Sequence, residues 1–353
     1  MLTFVQKNHT DVESVAIKRM VALRDVGACM TLTTCRGVLL ATILELKPEM
    51  LEEVFSDGST FRASDAFMRK WMHRSLNWSR RKGTRAAQKL PSAWETDCSN
   101  AILRIAYLIK YYDIPTSNFV NSDQTQVVFA PGDKMTWAET GAKQIHILGK
   151  DEKCAFTLLV SVSSDGKLLT HQAVYAGLSD RSLPSPAAPF YAELVGRRFV
   201  VFIPSGNKKY WSTQKTMREF VNNILAPHFD MCKAKQGLPP SQQSVWLIDV
   251  WSVHRSLEFQ TFMRTNHPTI IVCYIPGGCT GVLQPCDVGI QRPLKLSLTR
   301  SYHEDVVTIL LNQFKAGNEP HLPDTIGALR DGSVRWLLNA TKAVDNEDLI
   351  KKV

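Results

Sequence analysis

Val245-Trp-Leu-Ile-Asp-Val-Trp-Ser-Val-His254 is an apolar run that ends on an acid, with a histidine close behind. A short continuous apolar segment of this kind reads as a buried strand, and Asp249 falls where strand gives way to loop. Thr269-Ile-Ile-Val-Cys-Tyr-Ile275 repeats the pattern further on, and Gln284-Pro-Cys-Asp-Val-Gly-Ile290 places Asp287 just past it. Upstream, Asn118-Phe-Val-Asn-Ser-Asp closes on Asp123, which is expected to end a strand of its own. Three acids delivered to one sheet edge repel each other unless a cation neutralises them. Hard oxygen donors of this type suit Mg²⁺ or Mn²⁺. A pair of such ions activates a nucleophile on one side of a phosphodiester and stabilises the leaving oxygen on the other.

The flanking sequence predicts the elements around these acids. Cys154-Ala-Phe-Thr-Leu-Leu-Val-Ser-Val-Ser and Lys167-Leu-Leu-Thr-His-Gln-Ala-Val-Tyr-Ala read as strands about the turn Ser164-Asp-Gly166, and Phe199-Val-Val-Phe-Ile as another. Ser212 is the expected cap of a helix running to about Pro227. A helix is expected from His254 to Arg264, and a long one from near Asp287. The front of the chain is helical by pattern, over 11–26, 35–56, Ser64–Trp78 and 92–116. The predicted fold class is therefore α/β. It is a ribonuclease-H-like mixed sheet flanked by helices, preceded by a small all-α helix-turn-helix domain. The domains expected are a helical region over 1–100, with its helix-turn-helix segment at about 57–92, a catalytic domain over 115–305 and a helical extension over 306–353.

Charge is unevenly placed. The 353 residues carry a formal net charge of +9. Nine bases fall between Thr60 and Leu90, among them Arg62, Arg69, Lys70, Arg74, Arg80, Arg81, Lys82 and Arg85, against the single acid Asp65. Nearly the whole excess sits there, the footprint of a nucleic-acid contact. Ser64 can cap a short helix whose Phe67, Trp71 and Leu76 face inward while Arg69, Lys70, His73 and Arg74 face out, as a recognition helix would. The eight cysteines form no Cys-x-x-Cys pair, so they read as buried apolar residues rather than zinc ligands. No apolar stretch is long enough for a membrane span, and the N-terminus lacks the order of a secretion signal, so no membrane partner is expected.

Four motifs carry a resemblance. Val120-Asn-Ser-Asp-Gln-Thr125, Tyr210-Trp-Ser-Thr-Gln-Lys-Thr-Met217, Trp246-Leu-Ile-Asp-Val-Trp-Ser-Val-His254 and Pro276-Gly-Gly-Cys-Thr-Gly-Val-Leu-Gln-Pro-Cys-Asp-Val-Gly-Ile290 stand in the order found in pogo/Tigger-like DDE-superfamily transposases. The chain resembles that family over about residues 115–305, and Thr60–Leu90 resembles its centromere-protein-B-type helix-turn-helix. The resemblance implies a catalytic Asp123–Asp249–Asp287 triad. Two Mg²⁺ or Mn²⁺ ions would sit there, bridged by Asp123, with Asp249 and Asp287 each completing one. It implies double-stranded DNA as partner, a nuclear location and room for a homodimer. His254 joins the catalytic candidates, as a phosphate contact or an orienting group, beside the alternative of a structural histidine. Gln124, Val250 and Cys286 depart from common family residues without removing a ligand. The residues ahead of Thr60 lack a second basic cluster. The expected function is a transposase-type endonuclease. A domesticated, catalytically silent DNA-binding protein and a nuclease acting on RNA are the alternatives.

Overall fold

The computed structural model describes residues 9–25, 28, 30–55, 58–80, 90–129, 137–139, 155–322 and 325–353. Its contacts divide the chain into two units: Met1–Arg85, Ala130–Glu152 and Thr299–Leu329 form one, and Ala86–Phe129, Lys153–Leu298 and Arg330–Val353 form the other. The basic segment and the three acids therefore fall in different units. The division differs from the expected one at both ends. Trp94–Tyr111 belongs with the sheet rather than the front of the chain, and the region after 306 is shared between the units.

In the first unit, Thr10–Asp25 (α1), Leu32–Leu46 (α2) and Asp65–Leu76 (α3) pack around Met20, Leu39, Trp71 and Met72. Val306, Leu310 and Phe314, from far along the chain, complete the same core. The helix expected over 35–56 stops at Leu46, because Lys47 takes φ −153° ahead of Pro48, and one 3₁₀ turn follows. A residue before proline is pushed out of the helical region. Ser64 caps α3 by accepting from the Phe67 N–H at 3.2 Å. Glu13 is buried and accepts from Trp71 Nε1 at 3.0 Å and Ser75 Oγ at 2.6 Å. Residues 47–64 separate α2 from α3, a longer link than a tight helix-turn-helix, and a short antiparallel ribbon, Trp78–Arg80 with Trp137–Glu139, joins the helices.

The second unit is a six-stranded sheet with helices on both faces. Its helix Trp94–Tyr111 (α4) comes first. The strands are Phe119–Val128 (β1), Ala155–Ser163 (β2), His171–Tyr175 (β3), Val200–Pro204 (β4), Ser244–Ile248 (β5) and Ile270–Tyr274 (β6), in spatial order β4-β3-β2-β1-β5-β6. β2 runs antiparallel to β1 and β3, whereas β5 is parallel to β1 and to β6. This is the ribonuclease-H-like mixed sheet, with β4 added in parallel beside β3. The central strands β2 and β5 are buried throughout, which is why they read as unbroken apolar runs. Val245 and Leu247 of β5 pack with Cys98 of α4. The alternate residues Trp246 and Ile248 pack with Met217, Phe220 and Phe229 on the other face.

Several helix boundaries differ from expectation. Thr213, not Ser212, caps Gln214–Phe220 (α5), in a reciprocal capping box with Thr216. Pro227 does not end that segment. A π turn over Val221–Leu225 leads into Ala226–Lys235 (α6), where proline occupies the first turn and its missing N–H is harmless. The helix expected from His254 to Arg264 is two, Ser252–Arg255 (α7) and Leu257–Asn266 (α8). Ser256 breaks out at ψ 143° and caps the second by accepting from the Phe259 N–H. A π turn over Cys286–Ile290 opens the long helix Gln291–Lys315 (α9). The described cysteines, Cys35, Cys98, Cys232, Cys273, Cys279 and Cys286, are buried and unbridged, while Cys29 and Cys154 lie outside the described residues. Among the described residues, no helix is long and apolar enough to cross a membrane.

Phe220 is fully buried, with its ring 5.9 Å from that of Trp246. Phe220→Ala is expected to lower stability by about 3–5 kcal/mol in urea unfolding. A loss below ~1 kcal/mol would mean that this face of the sheet is not packed as described.

Candidate active site

The register of two parallel strands begins the site. β1 pairs with β5 from Phe119 to Asn121, and Asn121 lies opposite Leu247. Carried two residues further, the same register sets Asp123 beside Asp249, which directly follows β5. Asp123 does not end its strand, as the sequence suggested. β1 continues to Val128, paired with β2 on its other edge, with Asp123 opposite Val160. What ends near Asp123 is the neighbour β5, and its termination opens the sheet on that side. Asp287 arrives in the π turn ahead of α9.

Buried hydrogen bonds hold these three segments together. The Asn121 amide nitrogen donates to the Leu247 carbonyl at 3.0 Å and to Gln284 Oε1 at 3.1 Å. Its amide oxygen accepts from the Cys286 N–H at 2.9 Å. Gln284 Nε2 donates to the Ser122 carbonyl at 3.1 Å. Gln291, at the start of α9, donates to Asp123 Oδ2. Cys286, whose thiol burial pushes well above its usual range, is enclosed against the Asn121 and Val160 carbonyls at 3.7 and 3.6 Å. A Cβ at Gly289 would stand 1.7 Å from Val353 Cγ1, so any side chain there would displace Val353. Gly278 adopts φ 77°, a left-handed conformation natural to glycine.

The acids repel each other. Burial raises the Asp123 carboxyl first. The charge of Asp287 and a hydrogen bond shared with it add to the rise, as does the charge of Asp249. The Gln124 N–H opposes them, and the carboxyl is pushed up to about 7. Burial and then the charge of Asp287 also raise Asp249, against one N–H from Trp251. Asp249 Oδ1 is buried with no hydrogen-bond partner. Asp287 is thus the acid whose charge bears most on both of the others. Among the described residues, no three or more His, Cys, Asp or Glu side chains stand close enough together to hold a metal ion.

His254 is buried, with Nδ1 3.3 Å from the Asp249 carbonyl, Nε2 unpartnered, and its ring edge-on to Trp251 at 5.3 Å. Burial lowers it to about 4, so it is neutral at physiological pH. A neutral ring cannot offer a phosphate positive charge. His254 instead fixes the turn that carries Asp249. Asp123, Asp249 and His254 line a cavity of about 200 Å³ whose walls include Trp211, Trp246 and Trp251.

The basic candidates belong to the first unit. Arg62, Arg69, Lys70 and Arg74 are exposed on and beside α3, while Phe67, Met68, Trp71 and Met72 of that helix are buried. Arg80 is described in its backbone alone, and Arg81, Lys82 and Arg85 lie outside the described residues. Sequence reading passed over Asn121, Gln284 and Gln291 as individual residues. A polar side chain inside an otherwise buried strand was the available signal for Asn121.

Residues 202–351 match the family described as DDE superfamily endonuclease, a span that includes Asp249 and Asp287. Over that span the chain is similar to DDE superfamily endonucleases. Asp123 lies ahead of the matched span, and its grouping with Asp249 rests on the strand register given above. Two curated relatives are "Pogo transposable element with KRAB domain" of Homo sapiens and of Mus musculus. Each is 20% identical over 304 residues, covering 86% of this chain and 45% of its own length. The chain therefore spans about half the length of these relatives. Among solved structures, the Mos1 transposase paired-end complex with left transposon end overlaps 80% of this chain and 68% of its own, at 11% identity and a TM-score of 0.35. That overlap is too loose to argue from, and the fold of the second unit rests on its own sheet order.

The raised Asp123 carboxyl has a pH signature. An unfolded aspartate titrates near 3.9. Between about pH 4 and 7 the folded protein holds a proton that the unfolded chain has released, so its contribution to stability is full below pH 4 and lost as pH rises towards 7. In chelator at pH 8, Asp123→Asn is expected to raise the melting temperature by at least ~2 °C, with the gain gone at pH 4. Equal gains at both pH values would remove the repulsion as its cause.

Proposed function

We propose that this chain is a DNA-binding, transposase-type endonuclease that cuts phosphodiester bonds by a two-metal mechanism. One observation carries the reading: acids from three distant segments meet with their mutual repulsion unrelieved and one buried oxygen unpartnered. An all-carboxylate donor set of this kind fits Mg²⁺ or Mn²⁺. Asp123, Asp249 and Asp287 would hold the ions, which when bound supply charge neutralisation at the attacking and leaving oxygens.

The chain's own residues do the positioning. Gln291 orients the Asp123 carboxylate, and Asn121 fixes the backbone just ahead of Asp249 and Asp287. His254 keeps the Asp249 turn in place. Trp211, Trp246 and Trp251 line the cavity beside Asp123 and Asp249. A freed 3′-hydroxyl can occupy the place of the attacking water, so hydrolysis and strand transfer need a single site. The exposed bases of α3 support double-stranded DNA as the partner, because a helix enters the wide major groove of B-form DNA and not the narrow one of A-form RNA. Such a protein works in the nucleus, and a homodimer would present one such site to each DNA end.

The direct test is nicking of supercoiled plasmid by the purified chain. Wild type is expected to nick in Mg²⁺ or Mn²⁺ and not in chelator, and Asp249→Asn to fall to background. Equal nicking by both proteins would remove Asp249 from the chemistry, and a chain inert in both metals would be a DNA-binding protein that no longer cuts. For DNA recognition, replacing Arg69, Lys70 and Arg74 with glutamine is expected to flatten the salt dependence of duplex binding, by about 0.9 in slope for each phosphate left without its cation. An unchanged slope would exclude α3 as the DNA-contacting helix.

A further inference from the structure

The motif Tyr210-Trp211 has no part in the acid site, yet Trp211 forms one wall of the same cavity as Asp123 and Asp249. The two aromatic residues are treated very differently by the fold. Tyr210 is buried, its hydroxyl accepts from Gln126 Nε2 at 2.6 Å, and its carbonyl accepts from Thr157 Oγ1 at 2.8 Å. It is thus tied to β1, the strand that holds Asp123, and to its neighbour β2. Trp211 is 56% exposed and lies nearly parallel to the Tyr210 ring, with centroids 5.5 Å apart and an interplanar angle of 21°. An indole left this open on so firm a base has its outer face free for a flat ligand. Lys208 and Lys209 are exposed immediately before it, and the Lys209 N–H is fixed by Asn207 Oδ1 at 2.7 Å. Cations beside an exposed aromatic face are the pairing that binds single-stranded nucleic acid, phosphates to the cations and a base to the ring.

We propose that Trp211 is a stacking platform for an unpaired DNA base next to the phosphate to be cut, with Lys208 and Lys209 holding the adjoining backbone. The inference rests on the cutting reading above for its setting, and it adds that the site takes a locally opened strand rather than an intact duplex. An aromatic face is tolerant of base identity, so Trp211 selects for the unpaired state and not for sequence.

Binding without cutting tests it. The full chain in the Asp249→Asn background, in chelator, is titrated with a short single-stranded DNA carrying 2-aminopurine and, separately, with duplex DNA. Stacking is expected to quench the 2-aminopurine emission. Trp211→Ala should abolish the quench and weaken single-strand binding about five- to a hundredfold. Trp211→Phe should restore most of both, and duplex affinity should stay within about twofold of the parent. Circular dichroism checks that the variants fold, which an exposed position favours. Unchanged single-strand affinity and quench in Trp211→Ala, or an equal loss on duplex, would overturn the proposal. Plasmid nicking by wild type decides the cutting reading separately. A chain that fails to nick yet shows the Trp211 effect would lose only its chemistry, and a chain that nicks without the effect would lose only the platform.

Discussion

One buried carboxamide joins the three segments of the candidate site. Asn121 donates to β5 and to Gln284 and accepts from the turn that carries Asp287, so a single side chain measures the spacing between all three acids. This matters because the acids push apart: Asp123 and Asp249 are each raised by burial and by the charge of Asp287. A cluster of like charges survives in a fold only where its surroundings over-determine its position. A buried polar network with its donors and acceptors matched specifies one arrangement in that way. Gln284 and Gln291 extend the same logic to the Ser122 backbone and to the Asp123 carboxylate.

Much of the sheet was legible because its central strands are buried on both faces, and such strands must be written as apolar runs. Asp249 and Asp287 were legible for the same reason, since each follows a run of this kind. Asp123 was legible as a residue but not in its place within the strand. Its position depends on where β5 stops, which is a property of the neighbour. Local rules failed where tertiary packing intervened. Pro227 looked like a stop, and the π turn before it let the helix continue. The break at Ser256 turns on one backbone angle that no periodicity reveals. The role given to His254 needed burial to decide it, because the same side chain would be a cation on the surface and is a neutral prop in the interior.

The two kinds of charge are built differently. The bases of α3 sit on an exposed face whose opposite side supplies Trp71 and Met72 to a core, so their charge costs little and is screened by salt. The acids are set among tryptophans and aliphatic residues, where charge is expensive and interactions are strong. The exposed charges suit contact along a polyanion, and the enclosed ones suit chemistry at a single phosphate.

The core of the first unit also sets an order of events during synthesis. Residues from Val12 to Trp78 pack against Val306, Leu310 and Phe314. A ribosome must therefore translate the entire sheet before the opening helices receive their last partners. Until then those helices present an incomplete apolar face, open to chaperones, and a unit whose helices precede the sheet in sequence closes only after it.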